Sequence, residues 1–113
     1  MSISSVAVSG LEAAQVRLKT AAENIANSQT PDYKAKEVAQ STQPDGSVKT
    51  EVVTRDPATV TESDGKGGTQ VLPNTSPEEE LVNIQIATYT FKANLKILKT
   101  VDDLQDSLLD INA

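Results

Sequence analysis

The sequence has 113 residues, 37% of them apolar, with one Phe and two Tyr as its only aromatics, no Cys, His or Trp, and a formal net charge of −6. That length suits one small domain, and the missing Cys and His remove disulfides, thiolate metal sites and the commonest metal ligand and proton shuttle. No apolar run reaches the ~18 residues of a membrane span, no signal peptide is visible, and the acidic balance opposes nucleic-acid binding, which leaves proteins as the expected partners. From Ser4 to Ser28 the chain has no Pro and a single Gly. Its apolar positions Ala7, Leu11, Ala14, Leu18, Ala21 and Ile25 alternate in steps of four and three, which predicts a helix with a heptad seam, small on one seam position and large on the other. Gly10 weakens this helix locally, and Asn27, Ser28, Gln29 and Thr30 ahead of Pro31 predict its end.

Residues 34–75 change character, holding most of the glycines and prolines together with many Thr and Ser. Pro44-Asp45-Gly46 is turn chemistry, and the alternation from Val48 to Arg55 predicts a strand after it. A second short strand is expected through Thr59, Val60 and Thr61, with Gly65, Gly67 and Gly68 marking a loop before Thr69 to Leu72. This segment reads as a polar β ribbon or an extended insert.

Ser76-Pro77-Glu78-Glu79 then combines an N-cap, Pro at the first helical position and Glu three residues after the cap. Glu78, Glu79 and Glu80 suit the positive end of the helix dipole, a better reading than a metal cluster. Ile84, Ala87, Phe91, Leu95, Leu98, Val101, Leu104, Leu108 and Ile111 follow in steps of three or four, predicting a helix on the order of 50 Å long. The fold expected is mainly α: residues 1–29 and 76–113 form an antiparallel coiled-coil-like pair, with Leu11, Leu18 and Ile25 facing Phe91, Leu98 and Val101, around a polar insert at 30–75. The second helix is the longer, so some of its apolar positions need cover from other copies. An assembly seam is therefore expected along Ala7, Leu11, Ala14, Leu18, Ala21 and Ile25 and along Ile84, Phe91, Leu95, Leu98, Val101 and Leu108. A charged row, basic at Lys92, Lys96 and Lys99 and acidic at Asp103, Asp106 and Asp110, is expected to set the register between parallel copies that slide by about ten residues.

Ser9-Gly10-Leu11-Glu12-Ala13-Ala14, Arg17-Leu18, and the run from Ala22 through Asn24, Ala26, Asn27, Thr30 and Pro31 to Tyr33 resemble the N-terminal signature of the axial proteins of the bacterial flagellar rod and hook. The similarity is greatest to the small proximal rod proteins. Asn24 and Asn27 flank the helix end, where their amides suit loose carbonyls or a neighbouring chain, and Tyr33 suits the loop exit. Where the signature commonly has Gly, this chain has Asp32, which accepts a left-handed backbone less readily. Glu80-Leu81-Val82-Asn83, Tyr89, Phe91, Ala93-Asn94 and Leu98-Lys99-Thr100 resemble the family's C-terminal signature. The resemblance implies a non-enzymatic subunit of the periplasmic rod, exported through the flagellar type III apparatus without a cleavable signal peptide and assembled helically with copies of itself and related rod proteins to transmit torque. No nucleic acid, small-molecule substrate, cofactor, metal or direct membrane insertion is expected. With no His as base, no G-x-S-x-G elbow and no phosphate-loop spacing around Gly65-Lys66-Gly67-Gly68-Thr69, no catalytic residue is expected either. The alternative reading is a secreted helical-hairpin adaptor or chaperone outside the flagellum, which has no need of the Asn-rich loop.

Overall fold

The computed structural model describes residues 2–112. Met1 and Ala113, the outermost residues of the two terminal segments, lie outside them. Helix α1 (Ile3–Ala26) is followed by strands β1 (Lys36–Thr42), β2 (Val48–Thr54), β3 (Thr59–Ser63) and β4 (Thr69–Pro73) and by helix α2 (Pro77–Asn112). The molecule measures 78 × 24 × 14 Å.

Both helices begin where side chains satisfy their loose N–H groups. The Ser2 hydroxyl accepts the Ser5 N–H at 3.1 Å, and the Ser76 hydroxyl accepts the Glu79 N–H at 3.2 Å. At the end of α1, the Asn27 backbone N–H and side-chain amide both donate to the Glu23 carbonyl, at 3.1 and 3.0 Å. The loop beyond it turns at Asp32, whose φ of 64° lies in the left-handed region and whose N–H donates to the Val71 carbonyl at 2.9 Å. A left-handed backbone costs an ordinary L-residue about 1–2 kcal/mol, less for Asp, nothing for Gly. Asp32→Val is therefore expected to be less stable than Asp32→Gly by about 1–2 kcal/mol in urea unfolding, with the native Asp between them.

The expectation of a mainly α chain built on a coiled-coil-like pair needs correction: the fold is mixed α/β. Four strands form two separate antiparallel hairpins, β1 with β2 and β3 with β4. The first hairpin includes a strand, Lys36–Thr42, that its sequence hides, because charged and small polar residues there break the apolar alternation that marks a strand. Its turn is the Pro44-Asp45-Gly46 segment, with Gly46 at φ 88°. The Ser47 hydroxyl and N–H both donate to Asp45 Oδ1, at 2.6 and 2.9 Å, and hold that carboxyl below its usual range. The second hairpin carries the Gly-rich loop at its tip, where Asp64 Oδ1 accepts the Lys66 and Gly68 N–H groups.

The first hairpin lies along α1. The Ser9 hydroxyl accepts the Val48 N–H at 3.0 Å near one end, and Asn24 binds Lys36 at the other. Helix α1 thus has to cover both α2 and a sheet, and it does so with small residues. Ala7, Gly10, Ala13, Ala14, Thr20, Ala21 and Asn24 are its buried positions, an arc wider than a two-position heptad seam. Close approach over alanine and glycine replaces the large knobs of a coiled coil.

Candidate assembly surface

Where α1, the hairpins and α2 meet, the chain builds a buried polar knot. Glu80 is 1% exposed, and its Oε1 accepts from Thr75 Oγ1 at 2.9 Å, Arg55 Nη2 at 3.2 Å and Asn24 Nδ2 at 3.3 Å. Asn24, also 1% exposed, uses its amide like a strand neighbour: its oxygen accepts the Lys36 N–H at 3.0 Å and its nitrogen donates to the Lys36 carbonyl at 2.7 Å. Arg55 Nη1 donates to the Asn74 carbonyl at 2.7 Å, which ties the strands to the start of α2. Among the described residues every buried side-chain polar atom has a partner, as a low-dielectric site requires. The sequence reading places Glu80 in the dipole triad and in the C-terminal signature, but not in a buried polar contact. Its place on the inward side of α2, seven residues before buried Ala87, is the signal that separates it from exposed Glu78 and Glu79.

The knot also fixes how the helices lie. Asn24 meets Glu80, Gly10 lies against Asn94, and Ser4 shares a groove with Leu98 and Val101, so the helices run antiparallel. In this register Leu98 and Val101 come level with the first turn of α1, while Leu18 and Ile25 come level with the first turns of α2. The expected facing of Leu18 and Ile25 with Leu98 and Val101 is thereby corrected; of those three α1 residues, only Leu11 comes level with Phe91. Along the expected seam, Ala7, Ala14 and Ala21 are buried. Leu11, Ile25, Ile84, Phe91, Leu98 and Val101 are half-buried. Leu18, Leu95 and Leu108 are 41%, 50% and 59% exposed. In the signature loop Asn24 is buried, Asn27 and Tyr33 are half-buried, and Ala26, Thr30 and Pro31 are exposed. Lys36 Nζ stands 6.0 Å from the centre of the Tyr33 ring.

Because α1 begins level with Val101, residues 102–112 of α2 run past it. Leu104, Leu109 and Ile111 there are 60%, 68% and 78% exposed. Leu104 and Ile111 belong to a longer pattern. Val82, Ile86 and Tyr89, then Ala93, Ile97 and Thr100, then Leu104, Leu108 and Ile111 repeat every 11 residues, and all nine are exposed. An 11-residue period drifts only about 20° round the helix per repeat, so the stripe runs nearly straight along α2, beside the face that α1 covers. The reading of α2 in steps of three or four takes in Leu104, Leu108 and Ile111 but not the other six, because it follows residues suited to the α1 contact over most of its length. Lys92, Lys96, Lys99, Asp103, Asp106 and Asp110 are all exposed on the far side of α2 from Ala87 and Asn94. Among the described residues no helix is long and apolar enough to cross a membrane.

An elongated helix pair with a tied polar junction and a long uncovered apolar stripe has the form of a subunit that other chains can cover. The comparisons with known proteins give the class its family. The model for "Flagella basal body rod protein" matches residues 5–34, which are α1 and its Asn-rich loop. The model for "Flagellar basal body rod FlgEFG protein C-terminal" matches residues 70–111, which are β4 and α2. Together they cover well over half the chain, which belongs to the flagellar basal body rod protein family. No curated protein matches the chain. Membership makes it a structural component of the flagellar basal body, in a family that is not an enzyme class.

Proposed function

We propose that the chain is a proximal-type rod subunit, exported through the flagellar type III apparatus and packed helically in the periplasm with copies of itself and related rod proteins, through its terminal helices, to transmit torque. The observation that carries this reading is the end of α2 beyond α1, where Leu104, Leu108, Leu109 and Ile111 stand exposed on a helix with no cover of its own. Burying a Leu side chain is worth about 1.5–3 kcal/mol, so four such residues supply a strong assembly contact once a neighbour covers them. The half-exposed Leu11, Leu18 and Ile25 edge of α1 offers a second apolar contact on the same subunit, as an open helical assembly needs two different faces.

The test is incorporation. In a strain lacking the native gene, Leu104→Asp with Leu108→Asp is expected to leave the chain folded and exported but missing from purified basal bodies, and the cells non-motile. Wild-type amounts of the variant in basal bodies would sink the proposal.

A further inference from the structure

One cation at the junction has no task in the knot. Arg17 is half-buried on α1, and among the described residues it joins no ion pair and no side-chain hydrogen bond, whereas Arg55 joins both. A guanidinium carries five N–H donors and cannot shed its charge, so Arg17 keeps its whole binding capacity for solvent or a guest. It borders a cleft of about 210 Å³ between α1, β1 and the first turns of α2. The register that sets Asn24 beside Glu80 and Gly10 beside Asn94 puts Ala21 level with Asn83, so Arg17 and Thr20 of α1 share this cleft with Asn83 of α2.

The other donors of the cleft are free as well. Thr20 is 5% exposed, yet its hydroxyl has no hydrogen-bond partner among the described residues. Since every fully buried polar atom there is paired, that hydroxyl opens on the cleft that Thr20 lines. Asn83 gives one amide N–H to Glu80 Oε2 at 3.5 Å and keeps the other. The acceptors, by contrast, are engaged: Glu37 and Glu79 each stand 3.9 Å from Arg55. Free donors around a planar guanidinium suit an anion with two acceptor oxygens in one plane, which is a carboxylate. Glu37 and Glu79 border the same cleft and are more than half exposed, so they oppose the second charge of a phosphate and favour a singly charged guest. The volume falls below the ~300–1,000 Å³ of small-molecule pockets, which fits one side chain better than a metabolite.

We infer that this cleft receives an acidic side chain, Asp or Glu, from a neighbouring chain in the rod, with Arg17 as its anchor and Thr20 and Asn83 as further donors. The neighbour as source rests on the function proposed above; the affinity of the cleft for a carboxylate does not. The cleft lies by the start of α2, at the far end of that helix from Leu104 and Leu108. It therefore adds a polar contact that fixes position to an apolar one that supplies affinity.

Sodium acetate is titrated into the purified chain at constant ionic strength, with chloride as the balancing anion, while NMR follows the side-chain N–H signals of Arg17 and Asn83 and the Thr20 amide. Saturable shifts are expected at all three residues, and Arg17→Gln should weaken binding about tenfold or more. That variant should melt close to wild type, because Arg17 bonds nothing within the chain, yet its amount in purified basal bodies should fall several-fold. Absence of a saturable shift, or equal shifts around Lys92, Lys96 and Lys99, overturns the site. Wild-type amounts of Arg17→Gln in basal bodies overturn the neighbour as the source, even where acetate binds. Normal incorporation of Leu104→Asp with Leu108→Asp would instead overturn the proposed function, and the acetate titration on the free chain is read independently of it.

Discussion

Arg55→Met is expected to destabilise the fold by about 3–5 kcal/mol, the usual cost of removing one partner from a buried charged pair. The Arg55 and Glu80 side chains are 14% and 2% exposed, so the carboxylate left behind keeps Thr75 and Asn24 as donors but loses its counter-charge. The Asn74 carbonyl loses its donor as well. With a typical stability of only 5–15 kcal/mol for a whole domain, this one change should shift the urea midpoint strongly. A double change, Arg55→Met with Glu80→Met, should recover part of the loss, because two apolar groups of similar shape leave no buried charge behind. A loss below about 1 kcal/mol for the single variant would show that the knot is not what joins the hairpins to α2.

Gly10→Ala sets two effects against each other. Ala is better than Gly in a helix by about 1 kcal/mol, so the local term favours the substitution. The added Cβ, however, falls 2.6 Å from Asn94 Nδ2 and 2.7 Å from its Cγ and Oδ1. Asn94 is half-buried and its amide donates to the Thr90 carbonyl at 3.0 Å, so it yields only by breaking that bond or by pushing the helices apart. Overpacking of this kind costs about 1–3 kcal/mol, and the clash is expected to win. Gly10→Ala should therefore lower the melting temperature, while Gly10→Ala combined with Asn94→Ala should return it to or above the wild-type value. If Gly10→Ala alone raises the melting temperature, the helices are not in the close contact described.

The helices, the cap of α2 and the turn at Asp45-Gly46 are legible in the sequence because each rests on local chemistry: Ser76 as a cap, Asn27 and Pro31 as terminators, Gly46 at positive φ; the Ser2 cap of α1 is a finding of the structure. The strand Lys36–Thr42 is not legible, since its pairing comes from β2 and from the amide of Asn24 across the chain rather than from its own pattern. The helix-packing face is only half legible. Ala7, Ala14 and Ala21 are on it, but Gly10, Thr20 and Asn24 are too, because a helix that must seat both a sheet and another helix buries small and polar residues that no hydrophobic period selects. Glu80 is missed for the same reason: three consecutive glutamates look alike until packing turns one of them inward.

The end of α2 is uncovered in the free subunit, and the proposed function requires it to be covered in the rod. Hydrogen exchange followed residue by residue in purified chain held monomeric by dilution, and again in isolated basal bodies, tests it most directly. In the dilute monomer the amides of residues 102–112, which have no neighbouring element, should exchange far faster than those of residues 80–94, which lie against α1. In basal bodies the same terminal amides should slow by roughly two orders of magnitude or more, to the level of the middle of the helix. Equal exchange of residues 102–112 in the two states would contradict the account, because it would mean that no neighbour covers Leu104, Leu108 and Ile111 in the rod.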